Sequence, residues 1–281
     1  MTYDEQAERL YDVRAAVATY DEDTACWVRR SAAFRDRAAS QLDIAYGDGP
    51  SETLDIFPAA RSDAPLHMFI HGGYWRARDK SEFSFLAEPY VAAGVSVAIV
   101  NYALCPLIGL GEMVDQVRRA FCWLHRHAGD FGADPGRIQI SGHSAGAHLA
   151  AMLLATDWRA LDPDLPDAPI ASAILVSGLY DLTKLVRTSI NDALQLDMVA
   201  ARRLSPLAVV PRSGPPTILA VGEHEGDGFR GQCDALAGCW SPKFANLNKR
   251  ILDSCNHLSA LEALADRDHP LFVEAIDLGR S

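Results

Sequence analysis

What most limits how this chain can fold is an alternation of short apolar runs with helical patterns. Leu66–His71, Val95–Tyr102, Arg137–Ser141, Ile170–Ser177, Thr217–Gly222 and Leu247–Asp253 have the length and apolar character of buried strands. Glu112–Ala128 and Ala145–Thr156 between them carry apolar residues at helical spacing. Strands that alternate with helices predict a mostly parallel central sheet with helices on both faces, an α/β architecture. Two more strand-like runs, Leu42–Tyr46 and Thr53–Phe57, flank the turn cluster Gly47-Asp48-Gly49-Pro50.

The first forty residues, Asp4 to Thr19 and Asp23 to Ala39, read as a helical extension over 1–40 flanking the main body. Asp157–Pro169 and Tyr180–Pro216 interrupt the alternation. The first reads as a loop, and 180–216 as a small, mainly helical, cap-like insertion over the carboxyl edge of the sheet, where ligands bind in open α/β folds. With 281 residues and 49% hydrophobic content, 1–281 is expected to form one domain around one core.

Net charge is −11, the wrong sign for a protein that must displace counterions from nucleic acid. No window reaches the roughly 20 apolar residues of a spanning helix, and Met1–Tyr20 lacks the apolar core of an export signal. Six scattered cysteines without a C-x-x-C pair are expected to be free thiols. These features point to the cytoplasm, with no nucleic-acid or membrane partner.

The densest chemical signal is Gly142-His143-Ser144-Ala145-Gly146. It follows the strand Arg137–Ser141 and opens the helix Ala145–Thr156, the setting of the nucleophile elbow in the α/β-hydrolase fold. A serine there sits on a strained turn, and small neighbours let the backbone pass close on both sides. Its oxygen faces a helix N-terminus whose free N–H groups favour negative charge. Ser144 is the expected nucleophile. Its rival is a small-residue turn that only packs helix on strand.

His71-Gly72-Gly73-Tyr74-Trp75 ends an apolar strand upstream of the serine. In lipases and esterases such a loop supplies oxyanion donors, together with the residue after the serine. Gly72, Gly73 and Ala145 are therefore the expected oxyanion hole, with Tyr74 standing where the motif has a third glycine. Tyr74 and Trp75 are candidates for an aromatic wall against a planar leaving group, the alternative being plain core burial.

In this fold the triad follows the order Ser, Asp or Glu, His. His257, in the loop after Leu247–Asp253, is the expected base, and His269 near the chain end is the less favoured candidate. The acid should follow Thr217–Gly222, in Glu223-His224-Glu225-Gly226-Asp227. Spacing leaves Glu225 and Asp227 open. Asp181, after the preceding strand, reads instead as a helix N-cap.

The residues His71-Gly72-Gly73-Tyr74-Trp75-Arg76, Asp79-Lys80-Ser81, Asn101-Tyr102 and Gly142-His143-Ser144-Ala145-Gly146-Ala147-His148 together resemble the kynurenine formamidase-like (arylformamidase) branch of the α/β hydrolases. Ser177 to Leu182 and Val221 to Gln232 fit the same pattern. The resemblance implies Ser144, Glu225 and His257 as the triad, with Glu where most members have Asp. It also implies hydrolysis of an aryl formamide such as N-formylkynurenine, or of a small ester.

No cofactor is expected. No metal is expected either, because the nine histidines give no clustered three-ligand set. The expected partner is a small-molecule substrate, with a homodimer left open. Rival readings are a broad carboxylesterase, acyl transfer to an alcohol or amine, and a ligand-binding scaffold without turnover.

Overall fold

A computed structural model describes residues 3–280. Its centre is an eight-stranded sheet: β1 (Gln41–Ala45), β2 (Thr53–Phe57), β3 (Ala64–Ile70), β4 (Ser96–Val100), β5 (Ala133–His143), β6 (Ser172–Val176), β7 (Thr217–Gly222) and β8 (Leu247–Leu252). The spatial order is β1-β2-β4-β3-β5-β6-β7-β8. β1, β2 and β4 pair antiparallel, and from β4 through β8 every pairing is parallel. All residues of β3, β4, β6 and β7 are buried, as strands covered on both faces must be.

The strand expected at Arg137 begins earlier, at Ala133. Asp134-Pro135-Gly136 still turns, with Gly136 N–H donating to Asp134 Oδ1 at 2.8 Å, and the turn survives as an irregularity opposite Ala64 and Leu66. β1 is irregular too: its register with β2 shifts between Gln41 and Ile44, and Asp43 takes a left-handed φ of 57°.

The helix Leu110–His127 buries one face on the sheet, presenting Met113, Val114, Val117, Phe121 and Leu124 at helical spacing. Ala145–Leu154 is buried throughout its length and is built largely from small and aliphatic residues, which let it sit close against β5 and β6. Residues 180–216 form short helical turns at Leu182–Leu185, Asn191–Leu194, Met198–Arg203 and Pro206–Ala208.

The N-terminal extension is bound into the body. Trp27 stacks on Phe85, and Ser31 Oγ donates to Glu82 O at 2.8 Å. Asp55 is fully buried and pairs with both Arg35 and Lys80, and Lys80 also reaches Asp43 at 2.5 Å. Buried charges persist only when paired in this way. Glu8 accepts from Ser189 N and Oγ, and Asp4 N–H donates to Arg187 O at 2.8 Å. Among the described residues no helix is long and apolar enough to cross a membrane, and all six cysteines are free.

Candidate active site

Ser144 stands between the last residue of β5 and the first of the helix Ala145–Leu154, with φ 56° and ψ −121°. A non-glycine residue held there stores strain of about 1–3 kcal/mol, which only over-determined surroundings maintain. The surroundings are visible. Ser144 N–H donates to Val176 O at 2.9 Å. A Cβ on Gly142 would lie 2.2 Å from Gly146 O, and one on Gly146 would lie 2.0 Å from Ile70 O. Both glycines of the motif are required because backbone passes backbone on each side of the serine.

His257 follows β8 and donates from Nδ1 to Glu225 Oε2 at 2.6 Å. A carboxylate oxygen only accepts, so the hydrogen sits on Nδ1 and the lone pair of Nε2 is free. Glu225 Oε1 accepts from Gly222 N–H at 2.7 Å and from the Ser177 hydroxyl. Glu225 and His257 are both buried, and His257 and Ser144 line one cleft.

The other acid candidates are placed elsewhere. Asp227 is exposed and opens the helix Asp227–Trp240. Glu223 accepts from Ser254 N–H, and Asp181 caps the turn Leu182–Leu185 by accepting from Thr183 N–H. His269 accepts at Nδ1 from Leu271 N–H and stays at the chain end.

Gly72 and Gly73 face Ser144 across the cleft: a Cβ on Gly72 would lie 3.1 Å from Ser144 Cβ. Gly73, at φ 117°, has Ala77 O where its Cβ would stand. Among the described residues the N–H groups of Gly72, Gly73 and Ala145 meet no acceptor. This loop is held by the other motif residues. Tyr102 hydroxyl donates to His71 O at 2.6 Å, and Asn101 Oδ1 lies 3.2 Å from His71 Nε2 while its amide donates to Asp79. Sequence motifs some thirty residues apart thus converge on one scaffold.

His143 was not expected to matter. Its ring centroid is 4.7 Å from that of His257, and its Nε2 donates to His257 O at 2.8 Å. Burial, with the neighbouring His257 adding to it, holds its pKa well below the usual histidine value. The ring beside His257 is neutral, so a positive charge on His257 would face Glu225 with no competing cation next to it.

Two expectations need correction. Trp75 is fully buried and does not line the cleft: its Nε1 donates to His148 Nδ1 at 3.1 Å, making it a core pillar and not a substrate wall. The indole is turned inward because Tyr74 and Trp75 both take left-handed φ. Tyr74 does line the cleft, with its hydroxyl donating to Tyr11 O. The second correction concerns the cover. No lining residue comes from 180–216; the cleft is walled by Val13, Tyr20, Thr24 and Trp27 of the N-terminal extension. The insertion instead braces that extension, through Arg187 and Ser189, and accepts from His148 Nε2 at Leu204 O, 2.8 Å.

The cleft encloses about 50 Å³. A larger cavity of about 770 Å³ lies among Leu154–Trp158, 167–171 and 210–216. Those segments precede β6 and β7, so it opens at the amino edge of the sheet, away from Ser144.

An eight-stranded, mostly parallel sheet with a strained serine after its fifth strand, and a carboxylate–histidine pair after its last two, defines an α/β hydrolase. The BD-FAE family model matches residues 54–227. Kynurenine formamidases of Salmo salar and Danio rerio are each 34% identical, over 84% and 86% of this chain and 81% and 83% of their own lengths. A solved structure described as a candidate thioesterase of Silicibacter sp. TM1040 superposes with a TM-score of 0.87 at 29% identity, covering 98% of this chain and 99% of its own. The chain belongs to the kynurenine formamidase family and is a hydrolase.

Proposed function

We propose that this protein cleaves a small aryl formamide of the N-formylkynurenine type, or a short carboxylic ester, through an acyl-enzyme on Ser144. The observation that carries the reading is the Glu225–His257 contact at 2.6 Å beside a serine strained into the same cleft. His257 Nε2 takes the Ser144 proton as Oγ attacks the carbonyl, while Glu225 holds the ring and offsets its charge. The unpartnered N–H groups of Gly73 and Ala145, with Gly72 beside them, receive the oxyanion. His257 then protonates the departing amine or alcohol, and water repeats the sequence to release the acid.

Size favours a small acyl part. About 50 Å³ admits a formyl or acetyl group and leaves the leaving group to lie along the N-terminal wall. Six free thiols suit the reducing cytoplasm as its place of work.

The test is turnover of N-formylkynurenine beside a short aryl ester, with Ser144→Ala as control. Both substrates should be cleaved, with kcat falling about 10³-fold or more in the variant. Turnover that survives the substitution would remove Ser144 from the chemistry.

A further inference from the structure

Among the described residues the cleft lining contains one cation and no carboxylate. The cation is Arg78, five residues beyond Gly73 on the same loop. Its position is fixed: Nη1 donates to Glu82 at 2.8 Å, Nη2 donates to the Tyr20 hydroxyl at 3.0 Å, and its own φ is 81°. A guanidinium has five N–H groups, and these two bonds leave the rest of the fork without an acceptor among the described residues. Arg78 lines the cleft and Glu82 does not, so the ion pair turns its positive end toward the substrate space.

The charge is also screened little. The Arg78 side chain is about one-fifth exposed, enclosed by Tyr20 and by the wall from Thr24 and Trp27. The mechanism has no use for it: proton transfer belongs to His257 and charge stabilisation to backbone N–H groups. A fixed planar fork facing a small cavity binds a planar oxyanion best, in the bidentate manner of guanidinium and carboxylate. Glu82 already balances the single charge of Arg78, so a monoanionic carboxylate leaves less excess negative charge here than a dianionic phosphate would.

We propose that Arg78, positioned by Tyr20 and Glu82, is the anchor for a carboxylate on the leaving-group side of the substrate. The proposal rests on the hydrolase reading above and names the chemical class of substrate within it. The anchor and the oxyanion donors share one loop, so a carboxylate held at Arg78 sets how far along the cleft the scissile carbonyl lies. Tyr20 makes the N-terminal extension part of the selecting surface, although the family match begins only at Leu54.

The experiment compares two aryl esters that differ in one group, para-acetoxyphenylacetate and para-acetoxyphenylacetamide. Wild-type protein should prefer the carboxylate in kcat/KM, and Arg78→Gln should lower the preference ratio by about 10- to 100-fold, the range for a charge-assisted bidentate bond. Arg78→Lys should fall between, keeping the charge but losing the fork. Tyr20→Phe should reduce the ratio by a few-fold. Lys184→Gln, an equal charge change at an exposed residue outside the cleft, should leave it unaltered.

Binding of para-hydroxyphenylacetate to Ser144→Ala protein, by calorimetry, reads the anchor without turnover. It should weaken by a similar factor when Arg78→Gln is added. A wild-type ratio near one, or a ratio and an affinity that ignore Arg78, overturns the anchor. Loss of all Ser144-dependent turnover with Arg78-dependent binding intact would instead overturn the hydrolase reading.

Discussion

The Ser177 hydroxyl donates to the same Glu225 carboxylate whose other oxygen holds His257 Nδ1 at 2.6 Å. Ser177 follows β6 with a left-handed φ of 54° and is completely buried. Glu225 therefore has three donors, from the residue after β6, from the end of β7 and from the loop after β8. Removing one hydrogen bond to a buried charge costs about 1.5–3 kcal/mol where nothing replaces it. Ser177→Ala should lower kcat/KM by roughly 10- to 100-fold with little change in KM, as read from steady-state kinetics.

Glu225→Gln keeps the size of the side chain and removes the acceptor charge that fixes the imidazole tautomer. A loss in kcat of the order of 10³–10⁴ is expected. Asp227→Asn, on the exposed first turn of its helix, should stay within a few-fold of wild type. Parallel kinetics on the two variants decide which carboxylate acts; equal losses would unseat Glu225.

Trp75→Phe tests the corrected role of the indole. The change removes the donor to buried His148 Nδ1 and leaves that nitrogen unsatisfied. Stability should drop by about 1–3 kcal/mol in denaturant unfolding, with KM for a short aryl ester unmoved. A raised KM at unchanged stability would restore the substrate-wall role.

Gly146→Ala would drive a Cβ to within 2.0 Å of Ile70 O, a backbone atom that cannot swing away. Overpacking of this kind costs about 1–3 kcal/mol or more. A Tm lowered by several degrees is expected from calorimetry, together with lower kcat because the elbow moves with the helix.

Acid should weaken the fold through two buried histidines. Burial pushes His67 and His148 down from 6.5 to about 4. His148 accepts from Trp75 at one ring nitrogen, and His67 accepts from Ser141 at one of its own, so each is seated as a neutral ring. In the unfolded chain both protonate near 6.5. Their contribution is thus complete above that pH and is lost as pH falls from 6.5 toward about 4, at roughly 3 kcal/mol per histidine. Urea unfolding at pH 7 and pH 4.5 measures the loss, and His67→Gln should make the curve shallower.

Much of this was legible in the residues. The strand runs stand out because a parallel sheet buries both faces, and Gly142 to Gly146 stands out because close backbone approach excludes side chains. Glu225 could be separated from Asp227 by a signal within the sequence itself: Phe229, Cys233, Leu236 and Trp240 recur at helical spacing, which puts Asp227 on a helix's first turn. The source of the cleft wall was not legible. It depends on docking between distant segments, Glu8 on Ser189 and Tyr74 on Tyr11, and no local pattern encodes such a meeting. The inward turn of Trp75 is not legible for a related reason: it goes with left-handed backbone at Tyr74 and Trp75, which a Gly-Gly pair before two aromatics does not fix.

The irregular first strand has a consequence for self-association. Asp43 interrupts the ladder within β1: its N–H donates to Asp55 Oδ1 of β2 at 2.9 Å, and its carboxylate is taken by Lys80. At the other margin β8 carries Lys249 and Arg250, engaged with Asp234 and Glu274. A bulge on one border and paired charges on the other offer no clean row of amides and carbonyls to a ninth strand. Both margins of the sheet therefore work against pairing edge to edge with the sheet of a second copy.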